Sequence, residues 1–164
     1  MYKKKVLLML FCMLACYAQA QQVTKTVHRK AVKTDVVSTG SMTIRKPEYI
    51  CISTDNDRDL LIMDGTKFTM TMGGKQHVTD SRKNAQFATF KAVLTAVING
   101  QPIPSGDDLT VNTAGGRKTI TITPVGKKRQ LFSSFVLVID AKTSAFRTLR
   151  MNGRGEDYTE YHFK

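Results

Sequence analysis

Polar and apolar residues alternate along most of this 164-residue chain, and that two-residue period constrains its fold more than any other feature. Ser41-Met42-Thr43-Ile44-Arg45, Lys67-Phe68-Thr69-Met70-Thr71-Met72 and Thr119-Ile120-Thr121-Ile122-Thr123 all follow it. Such segments make strands with one dry and one wet face, the pattern of antiparallel sheets. Asp64-Gly65, Gly73-Gly74, Gly115-Gly116 and Asn152-Gly153 punctuate them. These pairs tolerate the positive φ of tight hairpin turns, so consecutive strands are expected to form a meander.

One segment has a different period. Over residues 85–98, Phe87, Phe90, Leu94 and Val97 recur at spacings of three and four, which predicts one apolar helical stripe. Asn99-Gly100 ends that helix, and Pro102 and Pro104 prevent its continuation. The polar residues 75–83 read as a loop leading into it. Residues 23–37 favour a strand, with a short helix before it as the other possibility. Phe135-Val136-Leu137-Val138-Ile139 is apolar at every position, so a strand covered on both faces is expected. Cys51, within Tyr49-Ile50-Cys51-Ile52, is expected to be a buried, inert thiol. Met42, Met63, Met70 and Met72 cluster on neighbouring strands. They suit either an adaptable wall for variable guests or ordinary core filling.

The N-terminus carries an address. A basic start (Lys3 to Lys5), an apolar run of a dozen residues and Ala18-Gln19-Ala20 make a cleavable secretory signal over residues 1–20. The run is shorter than the roughly 20 residues of a membrane span. Lipidation at Cys16 is the minor alternative. Residues 21–164 then form a single exported domain. The chain has 25 Lys and Arg against 13 Asp and Glu, and loss of Lys3 to Lys5 leaves 22 against 13. That excess suits anionic partners or simple solubility. With no Trp and no nucleic-acid motif, nucleic acid is not an expected partner. His28, His77 and His162 lie far apart, and no nucleophile elbow, P-loop or His-Glu-x-x-His occurs. Asp55-Asn56-Asp57-Arg58-Asp59 lacks the Gly and the final Glu of a calcium loop and reads as a hairpin turn. No enzyme activity, catalytic residue, metal or cofactor is expected.

In order, four stretches resemble the LolA family of periplasmic carriers of outer-membrane lipoproteins. They are Gly40-Ser41-Met42-Thr43-Ile44-Arg45-Lys46-Pro47, then Leu60-Leu61-Ile62-Met63-Asp64-Gly65-Thr66-Lys67-Phe68. Ile120-Thr121-Ile122-Thr123-Pro124 and the closing residues 135–163, ending in Tyr161-His162-Phe163, complete the set. The resemblance implies a mainly β fold with a small α part: a half-open antiparallel β-barrel, a curved meander sheet, covered by a helical lid. It implies a monomeric periplasmic carrier, or chaperone, whose hydrophobic cavity holds the acyl chains of lipoproteins. Its implied partners are an inner-membrane ABC release complex and an outer-membrane receptor. The cavity walls would be Met42, Ile44, Ile62, Phe68, Met70, Met72, Ile120 and Ile122, with Phe87, Phe90 and Leu94 on the lid's inner face. The family's latch, usually an Arg before the Pro, falls on Lys46 with Arg45 beside it. Alternatives are the same fold binding another lipid or sensing lipoproteins, or a non-enzymatic structural envelope domain with a filled core.

Overall fold

The structure, a computed structural model, describes residues 20–125 and 130–164; residues 1–19, which include Cys16 and all but the last residue of the expected signal peptide, lie outside the described residues. Eleven strands form one antiparallel sheet. They are β1 (Gln21–His28), β2 (Val36–Arg45), β3 (Tyr49–Thr54), β4 (Asp59–Asp64), β5 (Lys67–Met72) and β6 (Lys75–Asp80), then β7 (Leu109–Ala114), β8 (Arg117–Ile122), β9 (Ser134–Asp140), β10 (Phe146–Asn152) and β11 (Tyr158–Phe163). A single described helix, α1 (Ala85–Ile98), lies between β6 and β7 in sequence.

The spatial order is β6-β5-β4-β3-β2-β1-β11-β10-β9-β8-β7. First and last strands therefore meet at the centre, with Val23 opposite Phe163 and His28 opposite Tyr158. Two meanders spread outward as wings, and α1 connects their free edges, β6 and β7. The sheet is not closed into a barrel. Two-residue loops make the tightest hairpins. Met72 pairs with Lys75 across Gly73-Gly74, and Ala114 with Arg117 across Gly115-Gly116. All four glycines have φ between 56° and 76°, which a β-carbon would penalise.

Alternation places one residue of each pair on the inner face. Val23, Met42, Ile52, Met63, Phe68, Ile120, Leu137, Leu149 and Tyr161 are all buried there in one core with α1.

The 23–37 segment holds most of β1, a turn and the start of β2, the strand its residues favour; a helix before it falls largely outside the described residues. Three expectations need correction. Residues 75–80 are strand β6, not loop; as an edge strand it needs no continuous apolar face. Strand β9 is covered on one face only: Phe135, Leu137 and Ile139 are buried, while Val136 and Val138 remain partly exposed beside Thr121 and Thr119. Cys51 likewise faces outward and is only half-buried, because Ile50 and Ile52 hold the inner positions of β3.

Candidate functional site

The candidate site is the apolar trough of the curved sheet and the helix seated in it. Asn84 starts α1, its Oδ1 accepting the Gln86 and Phe87 N–H groups at 3.1 and 3.4 Å. At the other end Gly100 takes φ 63°, and the Gln101 N–H donates to Ala96 O at 2.8 Å, closing the last turn. Phe87, Phe90, Val93, Leu94, Val97 and Ile98 are buried, a wider face than the predicted stripe. The solvent side is Ala85, Ala88 and Ala92.

Aromatic rings bind the helix to both wings. Phe90 stacks on Phe135 of β9 with centroids 4.4 Å apart and planes 8° from parallel. It also lies 5.5 Å from Phe68 of β5. Phe87 meets Phe68, Phe132 and Phe135 at 5.0 to 6.5 Å. Four polar contacts tether the rest. Gln86 Nε2 donates to Phe132 O (3.0 Å), the Thr89 hydroxyl to Asp108, and Asn99 Nδ2 to Pro47 O (2.9 Å). Lys91 pairs with Glu48 at 3.3 Å. Gln86 Oε1 is buried without a partner among the described residues, a defect costing about 1–3 kcal/mol.

These contacts fill the trough. Beneath the helix remains a void of about 10 Å³, bounded by Met42, Met63, Phe90, Leu94 and Phe163 among others. That holds one water at most. A cavity of about 210 Å³ beside the N-terminal half of α1 is lined by Met70, His77, Phe87, Phe132 and Phe135 among others. Helix side chains therefore occupy the space expected to be an open, acyl-sized cavity.

Met42, Phe68, Phe87, Phe90, Leu94, Ile120 and Ile122 are buried in this core, and partly exposed Ile44 and Met70 pack against it. Met72 is partly exposed and lines neither the void nor the cavity. Ile62 is a correction. It faces outward beside Cys51 and Thr69, while Leu61 and Met63 point inward. The register Asp64↔Lys67 fixes this parity, and one residue of slip reverses a whole strand. The latch is a second correction. The Arg45 guanidinium lies 3.9 Å over the Tyr49 ring, and Lys46 is exposed at the β2–β3 turn. Glu48 and the Pro47 carbonyl hold the helix instead.

A polar cluster on the inner face went unpredicted. Lys25 of β1 is 2% exposed and pairs with Asp59 of β4, reaching across β2 and β3. Gly40 of β2 approaches β3 so closely that a β-carbon there would lie 1.8 Å from Ser53 O. Burial alone would raise the Asp59 carboxyl. The Lys25 hydrogen bond, the Gly73 N–H (3.0 Å) and nearby cations outweigh it and hold the group below its ordinary value. Burial, helped by the Asp59 charge, pushes the Tyr161 hydroxyl well above the usual phenol range. The one advance signal was a lysine on the apolar parity of Val23-Thr24-Lys25.

No protein-family model matches the chain, and no curated protein sequence does. Solved structures similar to it include a LolA superfamily protein from Nitrosomonas europaea. That pair shares 6% identity over 90% of this chain and 85% of the other, with a TM-score of 0.33. A second is the complex of the CwlD amidase of Clostridioides difficile with the GerS lipoprotein, at 11% identity, 94% and 88% coverage and TM-score 0.35. A third is a DUF1329 family protein from Desulfovibrio piger, at 11% identity, 99% and 90% coverage and TM-score 0.39. Overlaps this loose assign the chain to no family.

Proposed function

We propose that this chain is an exported carrier of acyl chains, and that its cargo is acylated lipoproteins moving through the periplasm to the outer membrane. The observation that carries the reading is the helix itself, an apolar plug spanning both wings of an otherwise open trough. Its energetics suit exchange. Lifting α1 exposes Phe87, Phe90, Val93, Leu94 and Val97, at about 1.5–3 kcal/mol each, on the order of 10 kcal/mol together. Burying one chain of ~15 methylenes returns about 12 kcal/mol. The two nearly cancel, so cargo can replace the helix and the helix can expel cargo. Methionines at 42, 63 and 70 give the walls adaptable packing. An inner-membrane release complex and an outer-membrane receptor would supply and accept the cargo.

The 10 Å³ void supports a second reading, a structural envelope domain with a permanently filled core. Pinning the helix separates them. In a Cys51→Ser background, Glu48→Cys and Lys91→Cys joined by a short bismaleimide would tie α1 to the β2–β3 turn. The carrier reading expects a fluorescent apolar probe, competed by dodecanoate, to bind the unpinned protein more tightly than the pinned one. No binding in either state would establish the filled core and end the carrier reading.

A further inference from the structure

At the C-terminal end of α1 the surface opens into a groove of about 800 Å³, within the range of small-ligand sites. Its floor is apolar, formed by Met42, Ile44, Val97, Ile98 and Phe146. Lys46 and Lys164 stand on its walls, and no Asp or Glu lines it. Neither lysine pairs with a carboxylate among the described residues. Thr143 and Ser144 add hydroxyls at the rim. A helix C-terminus ordinarily disfavours anions. Here the carbonyls of Thr95, Ala96 and Val97 already accept from Asn99, Gln101 and Gly100, which offsets part of that unfavourable charge.

We propose that this groove binds an anionic amphiphile, an acyl chain ending in a carboxylate or a phosphate. The headgroup lies between Lys46 and Lys164, and the chain lies on Met42 and Phe146. Charge complementarity selects the head, because two lysine side chains and no Asp or Glu side chain line the groove. The apolar floor selects the tail. Met42 and Phe146 also bound the void under α1, so one layer of side chains separates groove from trough. The headgroup site stands independently of the carrier reading; the chain's route inward past Met42 rests on it. Lys46 is free for this role because Glu48, two residues on, takes the tether to Lys91.

Calorimetric titration of the mature protein with three twelve-carbon ligands below their micelle concentrations tests the site: dodecanoate, dodecyl phosphate and uncharged dodecyl maltoside. Both anions are expected to bind about tenfold tighter than the maltoside, the effect of a charge-assisted contact. In the doubly substituted Lys46→Gln/Lys164→Gln protein that preference should fall below about threefold, with maltoside affinity unchanged. Both lysines are exposed, so the variant keeps its core. Tighter binding of the phosphate would support the site as a phosphate-headgroup site, and tighter binding of the carboxylate as a fatty-acid site. Equal affinity for charged and uncharged ligands, or a preference that survives the double substitution, would overturn the proposal and leave the carrier reading standing. No binding of any of the three would overturn both.

Discussion

Replacing Phe90 with alanine isolates what the helix contributes. Phe90 is 1% exposed and stacked between the two wings on Phe135 and Phe68. Truncating a buried phenylalanine costs about 3–5 kcal/mol. The upper part of that range applies here, because the ring is lost from a stack worth a further 0.5–1.5 kcal/mol or so. The surrounding walls are hydrogen-bonded strands that cannot collapse far, and the ring already borders both the void of about 10 Å³ and the cavity of about 210 Å³. At roughly 3 °C per kcal/mol for a domain of this size, Tm should fall by about 10–15 °C. Thermal unfolding of the chain from Gln21 to Lys164, followed by circular dichroism, measures this. The same scan with dodecanoate at ~100 times its Kd should recover about 2.7 kcal/mol, the mass-action gain from a ligand that binds only the folded state. A loss under about 1 kcal/mol would refute the packing described. A full loss with no recovery at any dodecanoate concentration would refute the exchange of helix for acyl chain.

Three further perturbations probe the frame around the trough. Lys25→Met strands Asp59 beside Tyr161 and should cost about 2–3 kcal/mol in urea unfolding, less than a fully buried pair because Asp59 keeps some solvent; adding Asp59→Leu should restore most of it. The Asp59 carboxyl is held below its ordinary value of 3.8, so its contribution to stability is fully present above that pH and disappears as pH falls through the lower folded value; the double variant should lose this part of the acid-unfolding profile. Asp140 accepts N–H bonds from Thr143 and Lys142 and is held down at about 2, so its carbon-13 resonance should titrate near pH 2 rather than near 4. Gly40→Ala puts a methyl against Ser53 O and should cost at least the 1–3 kcal/mol or so of an overpacked core; a Tm within 2 °C or so of the parent would contradict that close approach.

Strands and helix were legible where the periodicity was clean. Thr119-Ile120-Thr121-Ile122 announces both its conformation and its inner face, and Phe87, Phe90 and Leu94 announce the helix. Where the pattern degenerates, so does the reading. Leu60-Leu61-Ile62-Met63 is apolar at four successive positions, so only the pairing of Asp64 with Lys67 decides that Ile62 faces out. Edge strand β6 carries Lys75, Gln76 and His77 exposed and has no dry face to detect. Val136 and Val138 gave the appearance of a doubly covered strand because valine favours any pleated surface, covered or not. Long-range polar pairs were invisible: Lys25 meets Asp59 across 34 residues, and the helix tethers join Pro47 and Glu48 to Asn99 and Lys91. Which ions pair across such gaps depends on sheet curvature, which no local pattern encodes.

The central claim is that an acyl chain takes the place of α1 in the trough, and photo-crosslinking in living cells tests it most directly. A photoreactive residue at position 90 would sit where the helix meets both wings. The account predicts adducts with a range of acylated lipoproteins, lost when the helix is pinned to the β2–β3 turn. A folded, abundant protein that yields only an uncrosslinked monomer would contradict it and make Phe90 an ordinary core residue.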